Sequence, residues 1–195
     1  MPSSQMRTQL KRLLDTDRAL GRNKRSADPE RANYAFYSTD APGTGTENWF
    51  SEYETFGLFT GLRLLQHGWP QGFAVAVLRR VRPELEQQHA RILKQDPAKL
   101  LDWEQIRAQA KPGDLVDYNT DPVFLAIITG GGGDTSRPVA AICRGRRELM
   151  TLSRGKREQG GVGQVLTTFE LVNSVFDLSS ALAETKPRKR GRGSA

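Results

Sequence analysis

The residues best suited to chemistry in this chain are cations with hydrogen-bonding neighbours. Arg22, Lys24, Arg25 and Arg31 stand together, with Asn33 and Tyr37 close behind and Arg18 just ahead. Arginine pairs bidentately with guanine or phosphate, asparagine with adenine, and a tyrosine hydroxyl with phosphate, so this grouping points to nucleic-acid contact. The alternative is a solvated charged loop; for the neighbouring Tyr34 and Phe36, a place in the core is the expectation. Catalysis has no comparable grouping. His67 and His89 are the only histidines and form no metal-ligand signature, and the single cysteine, Cys143, cannot build a thiolate zinc site. No pair of carboxylates sits in an apolar setting that would tune one as acid and the other as base. The chain is read as a non-enzyme without metal or cofactor.

Composition points the same way. At 195 residues and 37% hydrophobic the chain can bury a real core, and a net charge of +7 favours a polyanionic partner. Nucleic acid comes first; an acidic protein or acidic membrane surface is possible, and a basic but inert surface is the plain alternative. One cysteine excludes an internal disulfide framework and suits a reducing compartment. No apolar run approaches the roughly 18 residues of a membrane span, so no membrane partner is expected there. The opening MPSSQMRTQLKR lacks the apolar centre of a signal peptide, and a cytoplasmic, nucleoid-associated protein is expected.

The elements that must position these cations can be read on either side of them. Met6, Leu10, Leu13 and Leu14 are spaced for an amphipathic helix, followed by a second short helix from Thr16 or continued as one helix to Leu20. Asp28, Pro29 and Glu30 combine a cap, a first-position proline and a first-turn acid, so a short helix should run through Arg31, Ala32 and Asn33. Residues 38–46 are rich in turn formers, and Gly43 and Gly45 suit the tip of a hairpin. Ser51 and Glu54 have the spacing of a reciprocal capping box. Behind it, Phe56, Phe59 and Leu62 or Leu65 mark a helix that Gly68 ends, and Trp69 and Pro70 start another with Phe73, Ala74, Val77, Leu78 and Val81 inward. Arg79, Arg80 and Arg82 fall mostly off that stripe and give it a cationic far end.

This order of parts, above all FSEYETFGLFTGLRLLQHGWPQGFAVAVLRRV, resembles the winged helix-turn-helix domain of MerR-type transcription regulators over roughly residues 5–95. The resemblance implies that a second helix enters the major groove of double-stranded DNA while a wing touches the flanking backbone. Carried onto this chain, it implicates Arg18, Arg22 and Arg25 and a wing tip at residues 41–46.

Pro83 should disturb the helix ending at Arg82, with further helices from there to Gln95 and from Asp96 to Lys111. A homodimer is an attractive expectation for this connector, since DNA sites are commonly read by two-fold pairs; packing of these helices on their own domain is the alternative. After Pro112 the pattern turns extended. Residues 123–129 and 138–143 read as a hairpin, 148–152 as a third strand, 164–171 as a fourth, and 176–182 as a closing helix. Arg144, Arg146, Arg147, Arg154, Lys156 and Arg157 are read as a solvated strand edge or turn. In the tail, Arg188, Lys189 and Arg190 should be disordered and add salt-sensitive attraction to phosphates. The expected fold class is thus α+β: a mainly helical winged domain at 1–82, a connector at 83–111, a small α+β domain at 112–184, and a basic tail. Which effector it senses, if any, is not encoded in a readable motif.

Overall fold

In the computed structural model, residues 3–41, 49–109, 119–130, 138–158 and 165–185 are described. The fold is mixed α+β, with eight helices and three strands among those residues. Gly43, Gly45 and the rest of the expected wing tip beyond Ala41 lie outside the described residues, as do Arg188, Lys189 and Arg190.

Helix α1 (Ser4–Leu20) is one continuous element, capped by Ser3, whose hydroxyl accepts from the Met6 amide at 3.1 Å. The four-residue α2 (Pro29–Ala32) starts where Asp28 accepts from Glu30 N at 3.0 Å. The capping box opens α3 (Glu52–Gln66): Ser51 Oγ accepts from Glu54 N at 3.2 Å, and Glu54 Oε2 accepts from Ser51 N at 2.7 Å. Glu54 Oε1 also accepts from Ser38 N at 2.6 Å, which ties the preceding loop to this cap. Gly68, at φ 84°, ends α3 as the sequence predicts, with Trp69 N donating back to Leu64 O at 3.1 Å.

Helix α4 (Gln71–Ile92) begins one residue after Pro70 and corrects the expectation of a break at Pro83. A proline inside a helix costs about 3 kcal/mol in a lost hydrogen bond and a ring clash. Here Val77, Leu78 and Val81 before it and Leu85 and Ile92 after it are all nearly inaccessible in the same cluster. Their shared burial outweighs the local cost, and residues 82 and 83 lie within one helix. Two short helices follow, α5 (Pro97–Leu100) and α6 (Trp103–Gln109), where one was expected.

Strands β1 (Val123–Thr129), β2 (Val139–Arg144) and β3 (Val165–Glu170) form an antiparallel sheet in the order β2-β1-β3. In the central pairings Leu125 faces Ile142 on one side and Phe169 on the other. The third strand expected at 148–152 is instead part of α7 (Gly145–Glu158). Leu149 and Leu152 sit three apart, on one helical face, and pack on Phe124, Ala126 and Cys143. Gly145, at φ 71°, turns the chain out of β2, and Glu148 accepts from Arg144 N at 2.7 Å across that turn. Helix α8 (Val172–Glu184) closes the described chain. The other sheet face, with Leu125, Ile127 and Phe169, belongs to the cluster that also holds Leu13, Phe36, Phe56 and Leu64.

Candidate nucleic-acid interface

Position 17 of α1 is an acid on an apolar face, four residues on from Leu13, and it is fully buried. A carboxylate so placed needs donors. Its Oδ1 accepts from Ala35 N at 3.1 Å and from Arg79 Nε at 2.6 Å, and its Oδ2 accepts from Phe36 N at 3.0 Å. Arg79 completes the hub by donating to Gly21 O at 2.8 Å, Glu30 O at 3.3 Å and Asp17 O at 2.5 Å. Arg82 donates to Tyr34 O at 2.8 Å and Ser38 Oγ at 3.1 Å. Arg80 pairs with Glu30 at 2.6 Å and also donates to Pro138 O. The cationic far end expected of this helix is corrected: Arg79 and Arg82 are buried, and their guanidinium groups bind the backbone of residues 17–38 onto α4.

The cations expected to touch phosphate divide into two groups. Arg18 pairs with Asp15 at 3.2 Å and donates to the Tyr37 hydroxyl at 3.3 Å. Arg22 is bound to Asp40 at 2.7 Å, lies 5.2 Å from the Tyr34 ring centroid, and keeps only 14% of its side chain exposed. Its hydrogen bond holds the Asp40 carboxyl below the ordinary carboxylate range. Lys24 reaches the same carboxylate at 3.5 Å. Arg25, by contrast, is exposed, and no carboxylate pairs with it among the described residues. Arg31 touches Asp28 only at 4.0 Å and stays 73% exposed.

Asn33 donates its side-chain amide to Pro29 O at 2.9 Å, which closes α2 and leaves it half-buried. Tyr37 is buried, and burial pushes its phenol up in spite of nearby Arg18, so it stays neutral. Tyr34 and Phe36 are in the core, as expected for those rings. The structure thus brings Arg22, Lys24, Arg25, Arg31 and Asn33 to one segment and leaves Arg25 and Arg31 as its most open cations, with Lys24 exposed but turned to Asp40. The hub itself was not anticipated. Its signal was an acid at the three-to-four-residue spacing of Leu10, Leu13 and Leu14, a pattern that calls for a buried cation elsewhere.

One cleft adjoins this segment and another lies away from it. One, of about 500 Å³, is lined by Arg22, Arg31 and Arg79 but also by Asp28 and Glu30, so its wall is mixed in charge. The other, of about 370 Å³, has Arg63 and His67 from α3 and Glu170 and Asp177 from the β3–α8 region. Glu170, just ahead of α8, is engaged with its first turn, accepting from Val172 N at 2.8 Å and Asn173 N at 2.9 Å. Among the described residues no group of three His, Cys, Asp or Glu could hold a metal ion, and no helix is long and apolar enough to cross a membrane. Compared with known proteins, the chain matches no family model, no curated protein and no solved structure.

Proposed function

We propose that this protein binds double-stranded DNA as a transcription regulator, with Arg25, on the segment between α1 and α2, and Arg31, in α2 itself, as phosphate or base contacts. The observation that carries the reading is the buried Asp17–Arg79 hub, which fixes the backbone on both sides of that segment while these two arginines remain in solvent. A contact held on a fixed backbone loses less entropy on binding. In this reading residues 1–82 act as a MerR-like winged helix, the turn containing Gly43 and Gly45 touches the flanking backbone, and Arg188, Lys189 and Arg190 add attraction that salt weakens. A homodimer would match two half-sites. Arg18, Arg22 and Tyr37 support the segment from within.

The internal pairing of Arg18 and Arg22 favours a second reading, an interaction module for RNA or an acidic protein, because it thins out the side chains able to read bases. A titration with random duplex DNA, RNA and heparin separates the two. A regulator prefers some duplex sequence; equal affinity for all three polymers would favour the module. Arg25→Ala with Arg31→Ala should lower duplex affinity and reduce the slope of log affinity against log salt by about 1.8 if each neutralises one phosphate. Unchanged affinity would remove the contact assignment.

A further inference from the structure

Helix α7 carries a second group of cations, of which Arg147 and Arg154 are exposed. From 147 to 154 is about two helical turns, or roughly 10 Å of rise, so Arg147 and Arg154 project from one line of the helix with Thr151 between them. All three side chains are exposed, and neither arginine has a carboxylate partner among the described residues. The opposite face of α7 is occupied, because Leu149 and Leu152 pack on Phe124, Ala126 and Cys143.

From this we infer that the outward face of α7 is a second phosphate-contacting surface for a nucleic-acid duplex, an inference that rests on the duplex-binding reading above. Two features select this occupant. A helix that lies in a membrane surface sinks its apolar face among the lipids, and here that face is covered by the sheet, leaving Met150 as the large exposed apolar side chain of α7. Proteins that grip single strands stack bases on aromatic rings, and α7 has no aromatic residue. What remains is a pair of exposed guanidinium groups on one line of a packed helix, and a duplex backbone offers phosphates about every 3.4 Å along each strand. Arg147 and Arg154 supply affinity without sequence preference, since phosphates are the same at every base pair.

The test uses the full chain and a fluorescent duplex, with affinity measured over a series of salt concentrations. Arg147→Gln with Arg154→Gln should reduce the slope of log affinity against log salt by about 1.8, at roughly 0.9 for each phosphate no longer neutralised. The preference among duplex sequences should stay unchanged, and so should thermal unfolding, because both side chains are exposed and neither has a carboxylate partner among the described residues. If the unaltered chain binds duplex and the variant keeps its full salt slope, the α7 surface is overturned while the DNA reading stands. If the variant loses slope but the unaltered chain shows no preference among duplexes, RNA and heparin, the surface stands and the regulator reading falls. Binding to vesicles of anionic phospholipid but not to duplex, abolished in the same variant, would overturn the assignment of the partner.

Discussion

Arg79 Nε donates to Asp17 Oδ1 at 2.6 Å, across 62 positions of sequence, with 3% and 0% of the two side chains exposed. The contact connects α1 to α4 and, through the amides of Ala35 and Phe36, to the stretch that leads out of α2. Breaking it from one side leaves a charge without compensation in a dry setting. Arg79→Met should therefore destabilise by about 3–5 kcal/mol, whereas Asp17→Asn combined with Arg79→Met should cost less than the sum of the single changes. Urea unfolding midpoints of the four proteins check this, and strict additivity would show that the pair acts as two unrelated groups.

Acid should weaken the fold in two stages. Burial pushes the His89 imidazole below its ordinary 6.5, although Glu52 and Glu86 pull the other way. Its neutral ring packs 4.9 Å from Phe56 and 5.7 Å from Tyr53, centroid to centroid. A group depressed in the folded state contributes stability that is complete above its unfolded pKa and is lost as pH falls through the folded one. Stability should thus begin to drop below pH 6.5, and His89→Gln should flatten that limb. Burial also raises the Glu54 carboxyl, but hydrogen bonds from Ser51 and Ser38 outweigh it and hold the pKa below the ordinary 4.5. The same sign applies, so a second loss is expected below pH 4.5 and should be smaller in Glu54→Gln, the remainder including Asp40, whose carboxyl is also held low. Denaturation curves from about pH 7 to about pH 3 resolve both limbs; a curve with no bend near either value would refute the assignments.

Two helical glycines should respond in opposite directions. A side chain at Gly61 would bring its Cβ within 3.2 Å of Leu13 Cδ1 and of Phe36 Cζ, where α3 closes on α1. Gly61→Val should cost about 1–3 kcal/mol through overpacking. Gly72, near the start of α4, has nothing within 4 Å of a Cβ placed there. Gly72→Ala should gain about 0.4–1 kcal/mol by restricting the unfolded chain. Melting temperatures of the two variants, moving apart from the parent, are the readout.

Elements set by neighbours in sequence are legible in the chain alone. The Ser51–Glu54 box, the cap at Asp28, the left-handed Gly68 and the apolar run of β1 each follow from a handful of adjacent residues. Failures came where distant packing decides. Pro83 is tolerated because both halves of α4 share a core, and 148–152 is helical because the sheet offers a face for Leu149 and Leu152. In α3 a single stripe was too simple: Leu64 is fully buried and Leu65 only partly so, since the helix is enclosed on more than one side. The cationic segment was recognisable by residue type. Which of its members stay open to solvent depends on where the fold puts Asp15, Asp28 and Asp40, and no local pattern carries that.

Helix α4 passes through the point where a separate DNA-binding module would have ended. Its second half carries His89, whose ring covers Phe56 and Tyr53 of α3, and Ile92, which is fully buried. A fragment cut at 82 would bare these surfaces to water and forfeit the girder they rest on. Dissecting the chain into independent pieces would thus yield sticky, half-molten remnants, and its two ends should melt together as a single cooperative unit.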